Sequence, residues 1–183
     1  MGTWAPGPGA TNGDDVFTGD GGNEIAEGFD GNDTLFGGDG NDTLDGGDDA
    51  DTVDGGNGAD VVNGGLGGDT LTGGTGADAF VFSTALGGGN IDVVVGFNVA
   101  DDTIHLDVSI FTGIGLGALA ANAFVIGAAA ADADDRIIYN AATGALFYDA
   151  DGNGGGAAVQ FATLAPGLAL TSADFLGVPG GGG

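Results

Sequence analysis

A nine-residue phrase occurs eight times in succession between residues 10 and 81. Its consensus is G-G-x-G-x-D-x-U-x, where U is apolar. The units read ATNGDDVFT, GDGGNEIAE, GFDGNDTLF, GGDGNDTLD, GGDDADTVD, GGNGADVVN, GGLGGDTLT and GGTGADAFV. A flexible Gly/Asp linker would not keep three residue types in phase through eight units. The fixed period therefore predicts a repeat architecture in which each unit stacks on others.

The two parts of each unit predict different backbone conformations. Glycines permit positive φ, so the first six places predict a loop that turns its carbonyl groups toward a common point. The last three places predict a short strand whose middle side chain points away from its neighbours. Two units would complete one turn, so that unit n stacks on unit n+2. The inward residues are then Phe17, Leu35, Val53 and Leu71 in one sheet and Ala26, Leu44, Val62 and Phe80 in the other.

The charge of this stretch determines what can hold it together. Residues 14–78 contain fifteen Asp, two Glu and no Lys, Arg or His, and each unit offers one inward apolar side chain. Such a segment repels itself and should be disordered alone. A cation bound by the loops would make folding and metal binding one reaction. Because the donors are carboxylate and carbonyl oxygens and the chain has no Cys, Ca²⁺ fits better than Zn²⁺ or Cu²⁺.

The repeats resemble those of the RTX (repeats-in-toxin, haemolysin-type) calcium-binding family. The resemblance implies a parallel β-roll with Ca²⁺ between stacked loops and about six ions, which would change the charge of residues 14–78 from −17 to −5. It places ligands on the sixth-place carboxylates Asp15, Glu24, Asp33, Asp42, Asp51, Asp60, Asp69 and Asp78. The glycine ligands that it implies are Gly31, Gly38, Gly40, Gly47, Gly56, Gly58, Gly65, Gly67, Gly74 and Gly76.

The segment after the repeats, NIDVVVGFNVADDTIHLD, resembles the region that follows the roll in serralysin-type proteins. The resemblance implies a further calcium ligand at Asp102. The only histidine, His105, alternates outward between Ile104 and Leu106 and is expected at the surface. The DADGNG phrase at 149–154 is interpreted as a hairpin turn, with a calcium loop as the alternative.

The rest of the chain predicts a C-terminal cap of antiparallel strands. Apolar and polar residues alternate around Gly/Asn turns from residue 131 onward, which is typical of hairpins. Residues 116–122 predict a short helix, followed by a strand at 123–126. The expected fold is all-β, a parallel β-roll (a two-sheet solenoid of nonapeptide repeats) followed by an antiparallel β cap. The boundaries are an N-terminal arm (1–9), the roll (10–81), the cap with a secretion-signal region (82–176) and a Gly-rich tail (177–183).

Composition and motifs exclude several classes of function. The net charge of −26 argues against binding nucleic acid or anionic membranes. No apolar run reaches transmembrane length, so no membrane insertion is expected. The chain lacks H-E-x-x-H, G-x-S-x-G, Lys and Cys, so that metalloprotease, serine-hydrolase, Schiff-base and thiol chemistry are excluded. We expect a protein that is not an enzyme.

Two functions remain open. The first is a secreted structural protein, extracellular or on the cell surface, that folds on binding Ca²⁺ after type I export and forms a homo-oligomer or filament. The acidic and then apolar LTSADFLG segment resembles the C-terminal end of substrates of the type I secretion machinery. The second is the non-catalytic calcium-binding and secretion module of a larger secreted enzyme, such as a serralysin-like protease. Because Met1 lies nine residues before the first repeat, we expect the first.

Overall fold

The computed structural model describes residues 2–5 and 9–180, so parts of the N-terminal arm and of the Gly-rich tail lie outside the described residues. The described part is almost entirely β-structure. Its strands are β1 (Thr3–Ala5), β2 (Val16–Thr18), β3 (Ile25–Glu27), β4 (Thr34–Asp39), β5 (Thr43–Asp48), β6 (Thr52–Asn57), β7 (Val61–Leu66), β8 (Thr70–Thr75), β9 (Ala79–Phe82), β10 (Asp92–Val95), β11 (Thr103–Asp107), β12 (Gly117–Ala118), β13 (Phe124–Ile126), β14 (Ile137–Asn140), β15 (Ala145–Tyr148), β16 (Val159–Thr163) and β17 (Phe175–Val178).

The repeat strands alternate between two parallel sheets, as the nine-residue period predicted. One sheet contains β2, β4, β6 and β8, and the other contains β3, β5, β7 and β9. Leu35 pairs with Val53, and Leu44 pairs with Val62, so each unit stacks on the unit two places later. We call each level of this stack a rung. All eight predicted inward side chains are buried, with exposed fractions of 0–4%.

The strands of the middle units are longer than predicted. Strands β4 to β8 have six residues and run from the seventh place of one unit to the third place of the next. The second-place glycines continue the ladder between rungs, as in the pairing of Gly38 with Gly56. The prediction of a six-residue loop was therefore wrong for these units, where three residues make the turn. Glycine lacks the Cβ that would keep adjacent backbones apart, so these positions can pair closely.

The C-terminal cap extends both sheets of the roll, and its pairing is mixed. Strand β10 lies parallel to β8, and β11 lies parallel to β9. Strands β16 and β17 then add in parallel to β10 and β11. The predicted antiparallel hairpins are present as β14–β15–β16. The antiparallel cap is thus preceded by two parallel strands, which form another rung of the roll.

The glycine-rich segment after β11 does not form the predicted helix. It contains β12 and a single 3₁₀ turn at Ala121–Ala123, followed by β13 close to the predicted strand. Gly117 has a φ of 90°, which a helix interior does not accommodate. Below this segment, edge-to-face contacts join the Phe111 ring to Phe161 and Tyr148. These aromatic contacts form the core of the cap.

At the N-terminal end, β1 pairs antiparallel with β2, with Thr3 opposite Thr18. The larger sheet therefore begins with a short strand that closes the first rung. At the other end, β17 includes Gly177 and Val178, the first residues of the predicted tail.

In the described part of the chain, no helix has the length and apolar character needed to cross a membrane.

Candidate metal centre

The sixth-place carboxylates form two ladders, one along each loop edge of the roll. Within a ladder, the backbone N–H of one acidic residue donates to Oδ1 of the acidic residue on the next rung. The distance is 2.7 Å from Asp33 to Asp51 and 2.9 Å from Asp60 to Asp78. One ladder contains Asp15, Asp33, Asp51, Asp69 and Asp92, and the other contains Glu24, Asp42, Asp60, Asp78 and Asp102.

Seven carboxylate oxygens in these ladders are buried without a hydrogen-bond partner among the described residues. They are Asp15 Oδ1 and the Oδ2 atoms of Asp33, Asp42, Asp51, Asp60, Asp69 and Asp78. Buried acceptors in proteins are almost always paired, and an unpaired buried charge is strongly unfavourable. A column of such oxygens, with no Lys, Arg or His before residue 105, indicates a cation that the protein binds at these points.

The leading glycine of each unit opens a space beside the unpaired oxygen. A Cβ placed on Gly55 would lie 2.5 Å from Asp60 Oδ2 and 2.7 Å from the carbonyl oxygen of Gly73. A Cβ on Gly28, Gly37 or Gly46 would likewise collide with an aspartate Oδ2 and with the carbonyl oxygen of a leading glycine. A carboxylate oxygen from one rung and a carbonyl oxygen from the next thus converge where only glycine fits. Hard oxygen donors in this arrangement suit Ca²⁺.

The ten predicted glycine ligands all adopt positive φ, between 94° and 153°. Most of them stack in columns, each against a backbone carbonyl of the rung before it, as Gly56 stacks against Gly38. Phe29 and Asp49 occupy second and fourth places without being glycine and still adopt φ values of 75° and 79°. The second and fourth places of units three to eight therefore adopt this conformation whether or not they carry glycine.

Sequence reasoning missed the leading glycines, where an added Cβ would collide with an unpaired carboxylate oxygen. They are Gly28, Gly37, Gly46, Gly55, Gly64 and Gly73. A signal was available, because glycine occupies the first place in every unit after the first. It also missed Asp92, which precedes the apolar run VVV.

One end of each ladder is closed by nearby hydrogen-bond donors. Thr11 donates to Asp15 Oδ2 from its backbone N–H (2.6 Å) and its hydroxyl (2.8 Å). At the other end of the roll, Asn98 N–H donates to Asp102 Oδ2 at 2.8 Å. Asp102, the predicted terminal ligand, does join the ladder, because the Asp78 N–H donates to its Oδ1 at 3.1 Å.

No group of three or more His, Cys, Asp or Glu side chains that could hold a metal occurs within the described ranges. The ladder explains this result, because only two acidic side chains meet between any two rungs. The remaining oxygen donors of each site would be backbone carbonyl groups. Asp149, in the DADGNG loop, accepts from Asp151 N–H at 3.2 Å, as a hairpin turn predicts.

The comparison with known proteins gives the repeats their family. The model of the RTX calcium-binding nonapeptide repeat (4 copies) matches residues 27–62 and 54–81. Residues 27–81 are RTX calcium-binding nonapeptide repeats. The RTX match covers units three to eight, where the ladders and the glycine columns are most regular.

One solved structure similar to this chain is the solution structure of the AlgE6R3 subunit from the Azotobacter vinelandii mannuronan C5-epimerase. It is 24% identical, with a TM-score of 0.44, and the match covers 97% of this chain and 92% of that chain. A search of the curated proteins found no match.

Burial raises the pKa of several ladder carboxyls. The pKa of Asp51 rises to about 7 and that of Asp60 to about 6, with further contributions from neighbouring aspartate charges. Burial and the charge of Asp69 raise the pKa of Asp92 to about 8. Burial also raises the pKa of Asp33, Asp69 and Asp78. Without a cation, the fold therefore disfavours the charged form of these groups.

We expect the metal-free roll to become more stable as the pH falls. An unfolded Asp has a pKa of about 3.9, whereas the folded values of Asp51 and Asp60 are about 7 and 6. Protonation therefore favours the fold, with full effect below the unfolded pKa and a loss as pH rises through the folded values. In calcium-stripped buffer, the far-UV circular dichroism signal of strands should be larger at pH 5 than at pH 8. A signal that decreases on acidification would contradict this linkage.

Truncating one ladder carboxylate should remove bound calcium. We expect Asp60→Ala to bind fewer ions than the wild type, because Asp60 supplies one unpaired oxygen and accepts from Asp42 N–H. Asp149→Ala removes an equally buried carboxylate of the cap and should leave the number unchanged. Equilibrium dialysis with calcium analysis measures both. Equal losses in the two variants would show that the ladder has no special role.

Proposed function

We propose that this protein is an extracellular calcium-binding structural protein that folds on binding Ca²⁺ after type I export and then self-assembles into a fibre, surface layer or matrix. The observation that carries the calcium step is the set of seven buried, unpaired carboxylate oxygens in the two ladders, four of which lie beside leading-glycine carbonyls. Bound Ca²⁺ would supply the positive charge that the chain lacks. No reaction is assigned to the protein.

The outer face of the larger sheet supports the assembly step. Its seventh-place column consists entirely of β-branched residues, and its ninth-place column contains one charge, Asp54. A sheet face with few charges is unusual on a chain with a net charge of −26, and such faces are typical of interaction surfaces. The two columns are Val16, Thr34, Thr52, Thr70 and Val93, and Thr18, Phe36, Asp54, Thr72 and Val95.

The N-terminal end of the smaller sheet offers a second contact for assembly. Strand β3 is the last strand of this sheet among the described residues. The Ile25 side chain of this strand is 85% exposed, more than any other large apolar side chain in the described part of the chain. Edge strands with apolar side chains favour the addition of another strand. End-to-end contact between copies would cover both the edge and Ile25.

Negative-stain microscopy with calcium and with chelator tests the assembly. We expect filaments or sheets with calcium and dispersed chains with chelator. Thr70→Asp adds a charge to the outer face of the larger sheet and should prevent assembly. Thr43→Asp makes the same change at the equivalent place of the smaller sheet, where the residue is also exposed, and should be tolerated. Dispersed monomers in calcium would reject the assembly step.

A second candidate is the non-catalytic calcium-binding and secretion module of a larger secreted enzyme. The C-terminal segment would serve this module as it would serve the first function, because its acidic and then apolar sequence resembles the end of type I export substrates. In the fold, Asp174 and Thr171 form a capping box ahead of β17. Monomers that fold reversibly with calcium would support this module over the assembling protein.

A further inference from the structure

A groove with a volume of about 510 Å³ lies on the outer face of the smaller sheet. Its floor includes Gly47 and Gly65, which pair with each other on neighbouring strands and have no side chains to fill the space. One wall is the ninth-place column, in which Glu27, Asp45 and Asn63 lie side by side on successive strands. The groove therefore runs across the strands, along the length of the roll. We call it the acidic groove.

The charge of the acidic groove is entirely negative. No Lys, Arg or His occurs among the described residues that line it, whereas four carboxylates do, from Glu27, Asp45, Asp48 and Asp107. None of the four belongs to either carboxylate ladder, so ions bound in the loops would leave them charged. The four are also too dispersed for one metal ion, because no group of three or more metal-binding side chains occurs in the described ranges. The groove therefore favours a cation that carries several charged groups.

Asp107 presents an unpaired oxygen at the C-terminal end of the acidic groove. The residue is only 3% exposed. Its Oδ1 accepts from Ser109 N–H at 2.7 Å, whereas its Oδ2 accepts no hydrogen bond from the described residues. Gly180 passes beside this oxygen, and a Cβ added there would lie 3.2 Å from it. Because a buried carboxylate oxygen without a donor is unfavourable, Asp107 indicates a ligand that brings a positively charged donor.

Apolar side chains separate the carboxylates along the acidic groove. Val81 follows Asn63 in the ninth-place column, and Leu66, which is 42% exposed, also lines the groove. Strands β5 and β11 are three strand spacings apart, so Asp45 and Asp107 are separated by about 14 Å along the roll. A linear ligand that alternates ammonium and methylene groups matches this arrangement. Its N–H groups would donate to the carboxylates while its methylene groups contact the apolar side chains.

We propose that the acidic groove binds a linear aliphatic polyamine, with ammonium groups at Asp45 and Asp107 and methylene groups against Leu66 and Val81. Asn63 holds the first of these carboxylates in place, because its Nδ2 donates to Asp45 Oδ2 at 3.0 Å. The inference goes beyond the proposed function, since the proposed assembly uses the outer face of the larger sheet and leaves this groove free. It requires only that the roll is folded.

Isothermal titration of the calcium-loaded protein with spermine measures this binding. We expect one spermine per chain, with an affinity that falls about tenfold in Asp45→Asn and in Asp107→Asn, because each variant loses a charge-assisted hydrogen bond. Asparagine keeps an oxygen that can accept from Asn63 or from Ser109 N–H, so both variants should keep the strand signal in circular dichroism.

Asp39→Asn is the matched control for the loss of charge. Asp39 also accepts from an asparagine, with its Oδ1 2.8 Å from Asn57 Nδ2, but it lies on the larger sheet, outside the acidic groove. Its affinity for spermine should match that of the wild type. An equal loss of affinity in Asp39→Asn and Asp45→Asn, or no loss in either groove variant, would overturn the site and show a general attraction to an acidic protein.

Two further measurements separate a shaped site from other occupants. Ser83 lines the acidic groove, so Ser83→Leu fills it without changing the charge and should weaken spermine binding while the strand signal stays unchanged. Spermine binding that disappears when calcium is raised about tenfold at constant ionic strength would overturn the inference by assigning the groove to metal ions. A lysine-rich peptide that binds where spermine does not would overturn it in favour of a protein partner.

Discussion

Removing calcium is expected to abolish the strand signal of this protein at neutral pH. The roll stacks seven buried, unpaired carboxylate oxygens in a segment with no Lys, Arg or His. Each site would stabilise the fold by about 2.7 kcal/mol when calcium is a hundredfold above its dissociation constant. The six predicted sites together would contribute about 16 kcal/mol, which exceeds the 5–15 kcal/mol stability that is typical of domains. Far-UV circular dichroism should show a disordered chain in chelator and a cooperative gain of strands on adding calcium.

Two controls separate specific binding from charge screening. Sodium chloride at high concentration screens the aspartates, but Na⁺ brings only half the charge of Ca²⁺ to each pair of buried carboxylates, so it should not restore the strands. Magnesium has the same charge as calcium but requires a smaller octahedral site and loses its water reluctantly, so it should be much less effective. A strand signal that persists in chelator, or that salt alone restores, would contradict metal-driven folding.

The roll was predictable because each nine-residue unit contains the residues that determine its own strand and turn. Leu35 and Leu44 each occupy the eighth place of a unit, and a strand sends alternate side chains to opposite faces. The period of nine then assigns them to opposite sheets, and the register confirms this assignment. The positive φ of the second and fourth glycines was predictable for the same reason, since a tight turn requires it.

The features that sequence reasoning missed depend on contacts between distant residues. The pairing of Gly38 with Gly56 lengthens the strands, but nothing within one unit shows that two glycine backbones will meet. The parallel addition of β16 to β10 joins residues about 70 positions apart and depends on the cap core. Asp92 was missed because it lies 23 residues after Asp69, whereas the repeat spacing within a ladder is 18, so the period does not predict its place. Only the hydrogen bond from Asp69 N–H to Asp92 shows that it belongs to the ladder.

Gly55→Ala is expected to remove a calcium site without removing any ligand. The added Cβ would lie 2.5 Å from Asp60 Oδ2 and 2.7 Å from the Gly73 carbonyl oxygen, closer than any Cβ contact tolerates. Gly55 is buried between rungs, so the backbone cannot move aside without separating them. Overpacking of this kind costs about 1–3 kcal/mol, and the loss of the site adds to it. Calcium titration followed by circular dichroism should show a higher midpoint and a lower melting temperature.

Gly68→Ala is the matched control for this substitution. Gly68 is exposed in the fifth place of its unit, and the nearest atom to an added Cβ is 3.6 Å away. Three other units carry alanine in this place, at 50, 59 and 77, so the stack accepts a methyl group there. Gly68→Ala should therefore match the wild type within about 0.5 kcal/mol, as surface substitutions usually do. If Gly55→Ala behaved like Gly68→Ala, the space beside Asp60 could not be a site that only glycine leaves open, and calcium would have to be bound elsewhere on the loops.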